Sequence, residues 1–286
     1  MNEKNVEIKK IFNLAFNKHK SGYINEAKDL YKKILNLDSD HLEANFLLGT
    51  LYAQTKNFKS SIEHIERSIL INPNMADAHN NLGLIYKELG QLDKAIGCIN
   101  KSIEIDNKRP EFFINLGKTF YDLKKFEKSL TSFNRAIDIN HDNFEGYYLL
   151  GNTYFKIKKF ELAIDKYMKS IQLNPKFLAS YNGLSKVYYE MNSYDKAIDI
   201  NEKMITIDPK YINSYISLAY IFFKKNNLNE SKKYYEKALA LNPNHKKMLP
   251  LYGALLLKLN QHAKGLKFIS KSDGVIKFTN NGLNIV

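Results

Sequence analysis

The chain has 286 residues, 43 Lys and Arg against 30 Asp and Glu, and a formal charge of +13. One cysteine, Cys98, excludes an intramolecular disulfide and agrees with a reducing compartment. The opening MNEKNVEIKK has no apolar signal core, and no run reaches the roughly 18 apolar residues of a membrane span; a soluble cytoplasmic protein with no membrane span is expected.

The pattern from residue 8 onward repeats every 34 residues, in segments 8–41, 42–75, 76–109, 110–143, 144–177, 178–211, 212–245 and 246–272. A lead (1–7) precedes them and an extended cap (273–286) is expected after them. A fixed period of this length signals stacked helical units, none of which can bury its apolar stripe alone. Ala76–Arg109 is the best-formed copy. Leu82, Ile85, Tyr86 and Leu89 line one helix; Leu92, Ala95, Ile96, Ile99 and Ile103 line the next; Gly90-Gln91 breaks them.

Small residues recur in the middle of each first helix, at Ala15, Gly49, Gly83, Gly117, Gly151, Ser185, Ala219 and Gly253. A second small column, Ala27 to Gly265, follows twelve residues later. Between them runs the bulky column Tyr52, Tyr86, Phe120, Tyr154, Tyr188, Phe222 and Leu256, faced in the second helices by Tyr31, Ile65, Ile99, Phe133, Tyr167 and Tyr235. Big-into-small packing at one register is therefore predicted to set the stacking. Asn201 interrupts the facing column, a local packing defect. Pro73, Pro175, Pro209 and Pro243 are expected to stop the second helices. At the ends, Lys18 replaces a bulky apolar residue. Pro250 is tolerated if its helix starts near Met248. Ile276 and Phe278 flank Lys277 in a strand-like alternation.

These columns resemble the tetratricopeptide repeat (TPR) family: small at position 8, bulky at 11, small at 20, bulky at 24 and Pro at 32, over roughly residues 8 to 272. The resemblance implies an all-α fold, a right-handed α-solenoid of antiparallel helix pairs, with no enzymatic activity and no cofactor. It also implies that positions 2, 5, 6, 9, 12 and 13 of each first helix face an inner groove. In the second to seventh repeats these positions carry seven acids and five lysines, so the positive charge lies mostly elsewhere. The acids at position 2 also suit the positive end of a helix dipole. Tyr121, Phe155, Tyr189 and Phe223 form an aromatic ladder, with Tyr148 beside it. Asn80, Asn81, Asn115, Asn152 and Asn182 are interspersed, each amide able to pair with both sides of an extended peptide backbone. Asn81 and Asn115 stand at position 6, as in the asparagine ladder of O-GlcNAc transferases, but Leu47, Leu149, Gly183 and Ser217 interrupt the series. Aromatics at position 12 are common in the family and also serve packing between repeats.

The reading that follows is a scaffold that binds a protein or extended peptide in its groove. The alternative is an adaptor arm acting in trans for a separately encoded transferase, of glycosyltransferase or sulfotransferase type, or for an oxygenase. A polyanion binder ranks third: specific nucleic-acid recognition wants a continuous basic stripe, and only Arg67, Arg109 and Arg135 are arginines. The Lys, Asn, Asn, Lys, Arg clamp of chaperone-tail-binding relatives has no match here, which argues against chaperone C-terminal tails as ligands. No nucleotide loop, zinc motif or nucleophile elbow is present. His64 and Cys98 fall at position 23 of adjacent repeats, too few ligands for zinc. His79 reads as a packing residue.

Overall fold

The structure is a computed structural model that describes residues 3–271, and beyond them the backbone of Ile276–Thr279 and Gly282–Ile285. The chain divides into two compact units, Met1–Gly146 and Tyr147–Val286, with the division inside a helix.

The first unit holds α1 (Glu3–Lys20), α2 (Ile24–Leu37), α3 (Leu42–Gln54), α4 (Phe58–Ile71), α5 (Ala76–Glu88), α6 (Leu92–Ile105), α7 (Pro110–Asp122), α8 (Phe126–Ile139) and the start of α9 (Phe144–Lys156). Consecutive helices pack as hairpins, the all-α solenoid arrangement expected. Helix α1 begins at Glu3, within the expected lead, and buries Ile8, Ile11 and Ala15 of the first repeat. The packing of small against large residues takes a definite form. The glycines Gly49, Gly83 and Gly117 meet the facing residues of position 24, Ile65, Ile99 and Phe133. A Cβ on Gly83 would lie 2.6 Å from Ile99 Cγ1, and one on Gly117 would lie 2.5 Å from the Phe133 ring. Ser61 Oγ donates to the Gly49 carbonyl at 2.6 Å, tying two helix backbones together. The position 11 aromatics are only half buried and lie under lysines, with Lys94 over Tyr86 and Lys128 over Phe120.

The second unit continues with the rest of α9, then α10 (Phe160–Leu173), α11 (Leu178–Glu190), α12 (Tyr194–Ile207), α13 (Ile212–Lys224), α14 (Leu228–Leu241), α15 (Leu249–Lys258) and α16 (His262–Ser270). Tyr167 is buried between two glycines: a Cβ on Gly151 would approach its ring to 2.7 Å and one on Gly183 to 2.5 Å. Asn201 is fully buried. Its amide donates to Ser185 Oγ at 2.6 Å and to the Ala197 carbonyl at 2.7 Å. The expected packing defect is therefore a polar pair, Ser185 with Asn201, in the places held elsewhere by glycine and a bulky side chain. Pro250 sits in the first turn of α15. After α16, β1 (Ile276–Thr279) and β2 (Gly282–Ile285) pair antiparallel, with Ile276 opposite Ile285. The expected cap over the last helix pair depends on side chains from residue 272 onward, which lie outside the described residues.

Two turn columns punctuate both units. Between the helices of each pair, Gly22, Lys56, Gly90, Lys124, Lys158, Asn192, Asn226 and Asn260 all have φ between 56° and 78°. The amide of the following residue bonds a carbonyl five residues back, as in Asn57 N–H to Tyr52 O at 2.9 Å, so carbonyls orphaned at the helix end are satisfied. Between pairs, Asp38, Asn72, Asp106, Asn140, Asn174, Asp208 and Asn242 each accept the backbone N–H two residues on through the side-chain oxygen. This Asx turn, present where proline is absent as well as where it occurs, stops the second helices. Proline adds a latch: His79 Nε2 lies 2.9 Å from the Pro73 carbonyl, and the Tyr181 and Tyr215 hydroxyls donate to the carbonyls of Pro175 and Pro209.

Candidate functional site

All ten residues singled out from the sequence lie on first helices, four in the first unit and six in the second. In the first unit the asparagines bond within the protein. Asn115 Nδ2 donates to Asn80 Oδ1 at 3.0 Å, with Asn80 buried, and Asn81 Nδ2 reaches Thr50 Oγ1 at 3.3 Å. Tyr121 packs edge-on against Phe126, 5.5 Å between centroids, at the start of α8. Asn81 also lines a cavity of about 200 Å³ between α3 and α5, with Thr50, Phe58 and Leu84. The charges of this face answer one another: Lys87 pairs with Asp122 at 3.0 Å, Lys118 with Glu145 at 2.7 Å, and Arg109 with both Asp77 and Glu111.

In the second unit, Asn152 Oδ1 accepts the Tyr167 hydroxyl at 2.7 Å. Tyr148 packs on Tyr167 and stands edge-on to Phe177. Asn182 is half buried and makes no side-chain hydrogen bond among the described residues. Phe155 leans on Phe160 and Tyr189 on Tyr194, so these position 12 aromatics pack against the residue that opens their own second helix. Tyr189 does more: its ring lies 5.5 Å from that of Tyr220 in the next pair. Burial, and after it a hydrogen bond with Tyr220, push its phenol above the ordinary range, so it stays protonated. Phe223 carries the Lys258 ammonium 4.4 Å from its centroid.

Tyr189 and Tyr220 line a cavity of about 440 Å³ among α11, α13 and α15, closed by Ser185, Lys186, Ile216, Ser217, Ile221 and Leu251. Of these, Tyr189 is among the ten site residues expected from the sequence. The signal for the others was available, because Lys186 and Tyr220 hold position 9, Ile216 position 5, and Ser217 and Leu251 position 6.

His64 does not join Cys98 in a site. His64 Nδ1 donates to Asn45 Oδ1 at 3.0 Å, and its ring stacks on Tyr52. Burial raises the Cys98 thiol above its usual range, which keeps it a poor nucleophile. Among the described residues no group of three metal-ligating side chains occurs and no helix is long and apolar enough to cross a membrane.

Comparison with known proteins follows the same periodicity. A model described as tetratricopeptide repeat matches residues 76–108, 144–177 and 212–245, a second matches 42–75 and 178–211, and a TPR repeat model matches 117–158. The solved structure of MamA is 31% identical, with a TM-score of 0.52 over 58% of this chain and 97% of that one. YrrB, described as a TPR protein with an unusual peptide-binding site, is 17% identical, with a TM-score of 0.51 over 69% of this chain and 97% of that one. A tetratricopeptide repeat protein from Parabacteroides merdae, 14% identical, shares the fold at a TM-score of 0.68 over 87% of this chain and 98% of that one. No curated protein matches.

Proposed function

We propose, from the premise that this chain belongs to the tetratricopeptide repeat family and is a protein-interaction scaffold, that it binds an extended peptide segment on the first-helix face of its second unit. The observation that carries the proposal is the cavity of about 440 Å³ among α11, α13 and α15. It is concave, mostly apolar and edged by a few polar groups, as ligand sites are. Its place on three successive first helices suits a ligand that runs across them.

The aromatic part of the expected surface supports this reading better than the asparagine part. Asn81, Asn115 and Asn152 are committed to Thr50, Asn80 and Tyr167, so a peptide backbone would have to compete with those bonds. Asn182, on α11, makes no side-chain hydrogen bond among the described residues and so has the most to offer. The peptide-binding site named for YrrB belongs to that protein; its shared fold makes a peptide the first ligand class to try.

The test is selection of a displayed random peptide library against the full chain, followed by affinity measurement on wild type and on Ser217→Trp. The indole would fill the cavity without touching the helix hydrogen bonds. Enriched peptides are expected to lose about tenfold or more in affinity on the filled variant, about 1.4 kcal/mol, at unchanged helix content. No enrichment, or equal binding to both proteins, would overturn the proposal.

A further inference from the structure

The inner first-helix positions of the second to seventh repeats do not share one electrostatic character. Those in the first unit hold Glu43, Asp77, Glu88, Glu111, Asp122 and Glu145 against Lys87 and Lys118, and both lysines are paired with carboxylates. Those in the second unit hold one acid, Glu190, against Lys156, Lys186 and Lys224. The eighth repeat adds Lys258 at the same register.

Around the second-unit cavity the cations are left without counter-charges. Lys186 lines it. Lys224 lies 5.6 Å above the Tyr220 ring, and Lys258 lies above Phe223. All three are exposed, and among the described residues none has a carboxylate within ion-pair distance. The ammonium groups of Lys224 and Lys258 rest on aromatic faces instead, Lys224 on the cavity-lining Tyr220 and Lys258 on Phe223 of the same helix as Tyr220. The aliphatic part of the cavity lining is branched alkyl: Ile216, Ile221 and Leu251.

We infer that the occupant of this cavity is an acidic peptide, with one aromatic or aliphatic side chain seated between Tyr189 and Leu251 and Asp or Glu on either side facing Lys186, Lys224 and Lys258. The inference rests on the peptide-binding reading above and gives its ligand a chemistry. Branched alkyl walls receive a side chain in the round. A nucleic-acid base would need a flat face on which to stack, and the two tyrosines are tilted 43° to each other. The single carboxylate of the face, Glu190, neighbours Tyr189 on the last turn of α11; it limits the attraction there without cancelling three cations.

The experiment is fluorescence anisotropy of the full chain with four fluorescein-labelled probes: DDEFEDD, its neutral analogue SSNFNSS, its basic analogue KKKFKKK, and an oligouridylate. Wild type is expected to bind DDEFEDD about tenfold or more tighter than SSNFNSS, and to weaken severalfold between about 50 and about 300 mM salt as the pairs are screened. Lys186→Glu with Lys224→Glu, both exposed, is expected to remove about tenfold or more of the DDEFEDD affinity with helix content unchanged. Neutral or basic peptide binding as tight as the acidic one, tighter oligouridylate binding, an unaffected double variant, or no acidic-peptide binding would each overturn the inference. The two readings separate on the filled variant. If SSNFNSS binds wild type as tightly as DDEFEDD and fails on Ser217→Trp, peptide binding stands and the acidic chemistry falls. If no peptide loses affinity on Ser217→Trp, both fall.

Discussion

Replacing Ser185 by Gly together with Asn201 by Ile restores the pairing present at Gly49 with Ile65 and Gly83 with Ile99, and the double variant is expected to be more stable than wild type. Burying an Ile side chain where Asn201 stands contributes about 1.5–3 kcal/mol. Removing Asn201 Oδ1, buried without a partner, recovers about 1–3 kcal/mol. Against this stand the bonds from Asn201 to Ser185 and Ala197, about 0.5–1.5 kcal/mol each, and roughly 0.5 kcal/mol for a helical glycine in place of serine. The net gain is about 1–2 kcal/mol. Each single change should instead destabilise. Asn201→Ile alone would press the new side chain on Ser185 in a column where a Cβ added at glycine comes within 2.5–2.8 Å of an isoleucine, an overpacking cost of about 1–3 kcal/mol. Ser185→Gly alone would strip Asn201 of an acceptor. The cycle should then show coupling of about 1.5 kcal/mol or more. Urea denaturation followed by circular dichroism measures the four proteins. Repeat arrays do not always unfold in two states, so hydrogen exchange in α11 and α12 supplies the local value. A double variant no more stable than wild type, or single effects that add within about 0.3 kcal/mol, would refute the reasoning.

Two further outcomes follow from buried groups. Burial raises the Tyr31 phenol to about 12, and its hydroxyl is buried without a partner. Tyr31→Phe should therefore be neutral or stabilising by up to about 1 kcal/mol in thermal melts; a loss of more than that would mean the hydroxyl is bonded. Burial lowers the His64 pKa from its ordinary value of 6.5, so the folded state prefers the neutral ring. Its contribution is complete above that value and is lost as pH falls through the lower folded pKa. Wild type should accordingly lose stability more steeply than His64→Gln below about pH 6.5, measured as the difference between their urea midpoints; parallel curves would contradict this.

Element types and order were legible because one period repeats eight times, and a small residue every 34 positions fixes which face each helix turns to its partner. Side-chain partnerships were not legible. Asn201 reads as a defect because the hydroxyl that receives its amide lies 16 residues away on another helix, and no local pattern announces that bond. Asn81, Asn115 and Asn152 of the expected groove find partners in the same way, in Thr50, Asn80 and Tyr167. Proline drew the helix stops to itself although the Asn or Asp column was complete, since proline is the stronger breaker in isolation. For the candidate site, Tyr189 was singled out while Ser217 and Leu251 were passed over, because small and aliphatic residues carry no chemical signal until a cavity forms around them, and Tyr220 was passed over because the aromatic ladder was followed at position 12 alone. The charge division between the two units was hidden by totalling acids and bases over the whole array.

The residues that face the small position 8 column are not uniform: isoleucine at Ile65 and Ile99, then Phe133, Tyr167 and the polar Asn201 opposite Ser185. With turns so alike, a helix could dock on the wrong neighbour and shift the chain by a whole repeat, the characteristic assembly error of arrays. Unequal notches oppose such an exchange. Tyr167 would collide with Ser185, and Asn201 against a glycine would have no hydroxyl to receive its amide. The irregularity of the facing column thus separates some registers from others, and correct assembly is written into the differences between copies as well as into their likeness.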